Sequence, residues 1–432
     1  MRTSPRNVGR SYLPILIGGL ACGVLFLHPN HVPAMAQQQA KPLQHDVQVI
    51  NIEVPVRVFA GDLFVSDLKI GDFEVLEDGR PQMLEAVHLV RGVEIRHSEG
   101  RSPETPRLGR HFVLLFELKD FLPEIESGLT YFAEKVLRAG DTVEVVTPVK
   151  AYRMRPELLS GPREKFKVDL LNLMRRDTLL GATEYWRIIG DLRSALAGYL
   201  KATSGDSSGE GQADRQGRGD QGGGGIYLMN YQMALEELER LRRIDEENLL
   251  AFAKDLKNRE GQKVVFLFYQ KEVLPKPKYP ITSYSRPEQL SEASAVIELI
   301  DLYHREISFD VAKVRQAFSD ASIAIHFLFA TKTKGTSVPI EESRPSSNII
   351  MADQSEDIFS AFTEMALATG GIAESSANLG AAFKKAAEAT ESYYLLYYKP
   401  QPYKGDGGFR SIEVRVKRGG VRVTHRAGYF AK

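Results

Sequence analysis

Two short apolar runs decide the fold expected for this chain. Residues 112–118 read Phe-Val-Leu-Leu-Phe-Glu-Leu, and residues 263–269 read Lys-Val-Val-Phe-Leu-Phe-Tyr. Each run has the length of a strand and lies next to a helix-period pattern, which is typical of strands buried on both faces of a parallel sheet. We therefore predict a doubly wound, mostly parallel α/β domain over residues 111–392.

The segments around these runs alternate between strand and helix patterns. We predict strands at 142–147 and 322–330, and helices at 124–138, 163–175, 183–201, 227–257, 288–306, 310–319, 355–369 and 379–391. Residues 204–225 are rich in glycine and polar residues and have almost nothing to bury. Such composition does not compensate the entropy of ordering, so we predict a disordered insert there.

Both ends of the chain have β patterns. Residues 46–97 contain apolar–polar alternation, and residues 393–432 contain an aromatic run followed by a second alternating pair of segments around Gly419-Gly420. Neither segment is large enough to bury its apolar face alone. We predict that the two ends form one small β-sandwich-like domain that flanks the α/β domain, with residues 98–110 as a linker.

The first residues have the pattern of an export signal. Arg2, Arg6 and Arg10 precede an apolar stretch at 12–27, and Ala34-Met35-Ala36 provides a small-x-small cleavage site. We predict a signal peptide over residues 1–36, cleavage after Ala36 and an extracytoplasmic location, periplasmic or secreted, with no membrane span left after cleavage. The alternative is an uncleaved membrane anchor, for which the apolar stretch is short.

Composition limits the kinds of partner and of cysteine-dependent site that the protein is expected to have. Lys+Arg and Asp+Glu both number 56 in the 432 residues, so charge does not suggest nucleic acid or an acidic partner. Cys22 is the one cysteine, and Gly19 stands where a lipoprotein signal has an apolar residue. Because Cys22 lies in the predicted signal peptide, the mature protein is expected to lack disulfides, thiolate metal sites and cysteine nucleophiles.

The residues that follow the two apolar runs form the candidate site, because function in open α/β sheets lies outside the carboxyl ends of the strands. Glu117, Lys119, Asp120 and Phe121 follow the first run, and Gln270 follows the second. A hard cation requires several converging oxygen ligands. A lysine and a phenylalanine at this position argue against a metal.

Several motifs occur in the order found in one family. They are the segment 72–82, the Ala-Gly-Asp-Thr-Val stretch at 139–143, Gly181-Ala182-Thr183, Thr369-Gly370-Gly371, and the segments 393–400 and 409–414. Together they resemble exported bacterial proteins with a von Willebrand factor type A-like domain, and they cover most of residues 47–431. The resemblance implies the A-type, doubly wound fold.

The same resemblance implies a degenerate metal site. Active relatives bind a divalent cation through an Asp-x-Ser-x-Ser run, a loop threonine and a later aspartate. The corresponding positions are Glu117, Lys119, Phe121, Thr183 and Gln270. We therefore expect no metal and no cofactor. Two alternatives remain open: Glu117 and Asp120 as residual ligands rather than ion-pair partners of Lys119, and Thr183 as a helix cap.

The sequence contains no catalytic constellation that we recognise. Ser127 lacks the context of a nucleophile elbow, and no glycine loop matches a phosphate cradle. We expect a non-enzymatic protein–protein interaction module that binds a protein partner, not nucleic acid, through residues at the strand ends: Glu117, Lys119, Asp120, Thr183 and Gln270. The alternative is a structural or assembly component of the cell envelope.

Overall fold

The computed structural model describes residues 50–101, 106, 108–155, 161–203, 223–278, 287–303, 307–332 and 349–431. These residues belong to one unit, Val49–Lys432. The predicted signal peptide and residues 204–222 of the predicted insert lie outside the described residues.

The described elements are labelled in chain order. The strands are β1 (Ile52–Ala60), β2 (Leu63–Phe64), β3 (Phe73–Glu77), β4 (Arg80–Gln82), β5 (Leu84–Arg91), β6 (Glu94–Gly100), β7 (Arg110–Glu117), β8 (Thr142–Val146), β9 (Ala151–Arg153), β10 (Gln262–Gln270), β11 (Val273–Pro277), β12 (Ile323–Ala330), β13 (Ile349–Asp353), β14 (Ala373–Ser376), β15 (Ser392–Tyr398), β16 (Phe409–Val416), β17 (Arg422–His425) and β18 (Gly428–Phe430). The helices are α1 (Ile125–Tyr131), α2 (Arg163–Gly181), α3 (Thr183–Thr203), α4 (Gly223–Arg242), α5 (Glu246–Lys257), α6 (Pro287–Leu302), α7 (Val311–Asp320), α8 (Glu356–Ala368) and α9 (Leu379–Ala389). A π-helical turn, Phe132–Val136, continues α1.

The two apolar runs form the middle of a six-stranded sheet with the order β14-β12-β10-β7-β8-β9. β10 pairs in parallel with both β7 and β12, so that Phe266 lies beside Leu114 and His326. β9 pairs with β8 in the antiparallel direction, and the sheet is therefore mixed.

Alternate residues of these strands supply two apolar clusters, as the two-residue period of a strand requires. Phe112, Phe116 and Phe268 enter one cluster, which includes Phe132, Leu170 and Phe383 from the helical segments. Val113, Val265 and Phe327 enter the other, which includes Leu256, Phe318 and Phe362. The continuous apolar character of residues 112–118 and 263–269 follows from burial on both faces.

The other three sheets are antiparallel. Their orders are β17-β1-β15-β5-β6 with β2 beside β1, β18-β16-β3-β4, and β11-β13. Strands from the two chain ends meet in the first two sheets, since β1 pairs with β17 and β3 pairs with β16. Val54, Val75, Tyr394 and Val414 lie together in the apolar cluster formed by these strands.

The predicted fold class is wrong. A doubly wound, mostly parallel sheet of the von Willebrand factor A type with a small flanking β-sandwich-like domain was expected. The observed fold is mixed α/β, with a mixed central sheet and otherwise antiparallel sheets. The physical reason is that an apolar run reports burial and not direction. Tyr393–Tyr398 of β15 is buried along its length, yet it pairs with β1 and β5 in the antiparallel direction.

Local boundaries also differ from the sequence expectations. The helix expected over 227–257 is two helices, because Asp245 caps α5 by accepting hydrogen bonds from the N–H groups of Glu247 and Asn248. Residues 223–225, assigned to the disordered insert, begin α4. The expected linker 98–110 contains the end of β6 and the start of β7.

One observation bears on membrane association. Within the described ranges, each helix is too short or too polar to cross a bilayer.

Candidate functional site

Gln270 occupies the centre of the predicted site as a fully buried amide. Its Oε1 accepts hydrogen bonds from the backbone N–H groups of Lys119 and Asp120, at 2.8 Å each. Its Nε2 donates to Asp120 Oδ2 at 3.1 Å and to the Lys332 carbonyl at 2.8 Å. Because an amide both accepts and donates, this one side chain fastens the ends of β7, β10 and β12 to one another.

Lys119 and Glu117 form the ion pair that the sequence predicts in place of a metal site. Lys119 Nζ lies 3.9 Å from Glu117 Oε2 and 5.5 Å from the centre of the Tyr185 ring. Burial raises the pKa of the Glu117 carboxyl, the Lys119 ammonium opposes that rise, and the Glu272 carboxylate adds to it. The ammonium thus stands among the oxygens where a cation would have to bind.

The side chains of Asp120 and Phe121 contact other residues of the same chain. The Asp120 side chain is buried against Gln270. Phe121 packs against the apolar cluster of the central sheet, and the Arg175 guanidinium lies 4.8 Å from its ring centre. The position that would hold a serine hydroxyl in a metal site therefore contributes to the core.

Thr183 neither lies in a loop nor caps α3 through its hydroxyl. Helix α2 ends at Gly181 and α3 begins at Thr183, so the expected glycine-threonine loop is absent from this described segment. The Thr183 hydroxyl donates to the Leu179 carbonyl at 2.9 Å and does not accept from the N–H groups that a cap would satisfy. A β-hydroxyl that bonds four residues back is a common alternative to capping.

A second layer of structure covers the carboxyl ends of β7 and β10. We call it the tip cap; it consists of α3, α4, α6, β11 and β13, which share one apolar cluster. Tyr185 of α3 donates to the Val273 carbonyl and accepts from the Val273 N–H. Trp186 Nε1 donates to the Lys119 carbonyl at 2.8 Å. The strand ends are therefore covered by the chain itself.

A buried ion pair supports the junction between β10 and the tip cap. Arg242 Nη1 lies 3.3 Å from Glu272 Oε2, and both side chains are almost fully buried. Tyr269 donates its hydroxyl proton to the same carboxylate, and the Glu272 N–H donates to Ser355 Oγ at 2.8 Å. Sequence reasoning missed this group, although a glutamate two residues after a buried strand was a signal for it.

The structure thus brings together four of the five candidate residues, Glu117, Lys119, Asp120 and Gln270, and places the Thr183 hydroxyl against α2 instead. Asp120 and Gln270 are buried, so neither presents surface to a partner. Glu117 and Lys119 are partly exposed, and Thr183 is exposed. In the described part of the chain, no three His, Cys, Asp or Glu side chains are grouped to hold a metal ion.

Comparisons of the chain with protein-family models, with curated proteins and with solved structures found no match. The resemblance to von Willebrand factor A-like proteins therefore stays a prediction from the motifs.

Proposed function

We propose that the protein is a non-catalytic interaction module that acts outside the cytoplasm and binds a protein partner. The extracytoplasmic part of the proposal comes from the signal-like segment before Gln37. The non-catalytic part is supported by the strand ends, where Gln270, Asp120 and Lys119 are engaged with one another rather than with an open cleft.

The observation that carries the proposal is an exposed apolar surface on α4. Ile226, Met229 and Met233 lie on one face of this helix and are 58%, 55% and 60% exposed. The opposite face packs into the tip cap through Tyr231, Leu235 and Leu238. We call the exposed face the α4 stripe. Contiguous exposed apolar groups mark interaction sites, and flexible methionine side chains suit an adaptable protein contact.

A second surface was expected from the sequence. Glu117, Lys119 and Thr183 are the predicted partner-binding residues that keep exposed area. Their charged and polar character fits the rim of an interface better than its centre, because interface centres are depleted of charge. The α4 stripe is accordingly the stronger candidate for the centre of the contact.

Site-specific photocrosslinking tests the proposal and separates the two surfaces. A photoreactive residue is placed at Met229, at Glu117 or at Met83, a methionine that is 79% exposed outside the tip cap and serves as the matched control. We expect the photoreactive residue at position 229 to give one discrete adduct with a protein, and we expect Met233→Asp to abolish this adduct. The photoreactive residue at position 83 should give no adduct. An adduct from Glu117 alone would move the contact to the strand ends. Equal labelling at all three positions, or none, would contradict an interaction module.

The alternative, a structural or assembly component, would use the open edge of a sheet. β6 is such an edge, and six of its seven residues are exposed. However, Glu94, Arg96 and Glu99 place charges along it, which disfavours edge-to-edge pairing. Light scattering of the purified mature chain is expected to give a monomer; concentration-dependent growth that Arg96→Thr accelerates would favour assembly.

A further inference from the structure

A small polar cavity lies at the other end of the central sheet, where β10 and β12 begin. It has a volume of about 30 Å³ and is lined by Arg57 of β1, Lys263 of β10, Ser322, Arg426 and Glu53, among others. The cavity therefore lies where β1 and the segment after β17 meet the amino ends of the central strands.

Three of the lining side chains are cationic and buried. The exposed fractions of Arg57, Lys263 and Arg426 are 3%, 8% and 8%. Charged side chains at this depth are normally paired with an opposite charge, because transfer of an isolated ion out of water is costly. Lys263 and Arg426 repel each other across this cavity, and an occupant with negative charge would relieve that repulsion.

Within the described ranges, the hydrogen bonds of these cations go to neutral acceptors. Arg57 Nη1 donates to the Gly370 carbonyl at 3.3 Å, and Lys263 Nζ donates to the Ala321 carbonyl at 3.0 Å. Arg426 donates to Ser322 Oγ at 2.6 Å and to the Glu53 carbonyl at 2.7 Å. The Nε atoms of Arg57 and Arg426 are buried, and within the described residues they have no hydrogen-bond partner.

The carboxylates of Glu53 and Asp320 favour the charged forms of Lys263 and Arg426 only from beyond ion-pair distance. Among the described residues, none of the three cations is within ion-pair distance of a carboxylate, and the Glu53 carboxylate instead accepts from the Tyr397 hydroxyl at 2.8 Å. Burial lowers the pKa of Lys263 to about 8, with the Arg426 charge adding to the effect, and burial lowers the pKa of Arg57 to about 10. Positive charge is thus poorly compensated at this place.

We propose that the cavity binds a small oxyanion between Arg57, Lys263 and Arg426. Guanidinium groups present planar pairs of donors that match the oxygens of a carboxylate or phosphate, whereas a spherical halide uses them less well. The cavity volume of about 30 Å³ is larger than the roughly 10–15 Å³ that one water needs. The volume is nevertheless small, so only a small anion is expected to fit. The bound anion joins β1 to β10 and to the Arg426 segment, and it therefore stabilises the folded chain.

Thermal unfolding of the mature chain tests this proposal. Formate and inorganic phosphate are titrated separately at constant ionic strength, with chloride as the balancing salt. We expect a saturable rise in Tm for at least one of them, roughly 3–5 °C at a 100-fold excess over Kd. Sulfate is left out, because its general stabilising effect on proteins would obscure binding.

Two variants make the result specific. Lys263→Met removes one buried cation. The apparent Kd of the anion, read from the rise in Tm, should therefore increase about tenfold or more. Without added oxyanion, the same variant should be as stable as the wild-type chain or more stable, because repulsion with Arg426 is relieved. Lys417→Met is the matched control, since Lys417 is exposed and also donates to a backbone carbonyl, that of Gly71, at 2.8 Å.

The outcomes are distinguishable. A rise in Tm that is equal in wild type, Lys263→Met and Lys417→Met would be a general salt effect and would overturn the proposal, as would the absence of any shift with both anions. If Lys263→Met does not fold, Arg57→Gln replaces it, because glutamine retains a donor for the Gly370 carbonyl; an undiminished anion response in that variant would equally contradict the site.

Discussion

Replacing Gln270 with methionine tests whether the buried amide holds the strand ends together. The change keeps an unbranched side chain of similar length but removes four hydrogen bonds, to the Lys119 N–H, the Asp120 N–H, the Asp120 carboxylate and the Lys332 carbonyl. Each buried polar group left without a partner costs about 1–3 kcal/mol. Because water can reach some of these groups, we expect a loss of about 3–5 kcal/mol in the free energy of unfolding.

Urea unfolding of the wild type and the variant gives that free energy, and amide hydrogen exchange shows where the loss occurs. The N–H groups of Lys119 and Asp120 should be protected in the wild type and exchange much faster in Gln270→Met. Gln232→Met is the control, because the Gln232 amide on α4 makes a solvent-exposed hydrogen bond to Glu236. This control should change stability by no more than about 0.5 kcal/mol.

A second substitution separates the acceptor from the donor. Gln270→Glu keeps an oxygen for the two N–H groups but turns a second oxygen toward Asp120 Oδ2 and the Lys332 carbonyl. We expect destabilisation at pH 7 that lessens at lower pH, as protonation of the new carboxyl restores a donor. Either of two results would show that the amide does not fasten the strand ends. One is a loss of less than about 1 kcal/mol in the free energy of unfolding for Gln270→Met. The other is a destabilisation of Gln270→Glu that is the same at pH 7 and at lower pH.

Four further outcomes are expected. Since burial and the charges of Arg426 and Lys257 lower the pKa of Lys263 to about 8, against the opposing effect of Glu53, the folded chain binds fewer protons than the unfolded chain above that pH. The free energy of unfolding, measured with urea, should therefore rise from pH 8 to pH 9.5 relative to Lys263→Met, and a constant difference would contradict this. Burial lowers the pKa of His326 to about 3, so stability is lost as pH falls below about 6.5, and His326→Phe should gain about 2 kcal/mol over the wild type at pH 5 compared with pH 7.5; an equal difference at both pH values would refute this. Calorimetric titration with millimolar Mg²⁺ or Mn²⁺ should give no binding heat for the wild type, with Lys119→Ser/Phe121→Ser/Gln270→Asp as the comparison, and partner binding should be insensitive to chelators. Mass spectrometry of the exported chain should find Gln37 at its N-terminus, whereas Met1 or a lipidated Cys22 would argue against the predicted cleavage.

Much of the local structure was readable from residue patterns, because burial on one or two faces imposes a period on the sequence. The runs at 112–118 and 263–269 lie in buried strands, and Asp78 and Gly79 form the turn between β3 and β4 with positive φ values of 49° and 76°. Two-residue turns of this kind require φ angles that Asp and Gly tolerate. That Lys119 and Phe121 lack oxygen ligands for a cation is a property of residue type, and the absence of a metal stays a prediction.

The direction of strand pairing was readable for the parallel pair β7 and β10 but not for β9 or for the other sheets. β9 returns beside β8 after a short connection closed by the Thr147 N–H and the Lys150 carbonyl, and this path forces the antiparallel direction. Tyr393–Tyr398 has the same continuous apolar character as β10 but pairs antiparallel with β1 and β5. Residue type records how deeply a strand is buried, whereas its neighbours depend on the route of the whole chain.

The contacts within the site also depend on the tertiary structure and could not be read from the sequence. The sequence places Gln270 after a strand, but its hydrogen bonds to Lys119 and Asp120 exist because β7 and β10 are neighbours. Arg57, Lys263 and Arg426 are more than 150 positions apart in the chain, and each looks like an ordinary surface cation in its own segment. Their convergence on one cavity follows from the packing of β1 and the Arg426 segment against the start of β10. Local patterns carry periodicity and chemical type, while contacts between distant segments are set by the free energy of packing the complete chain.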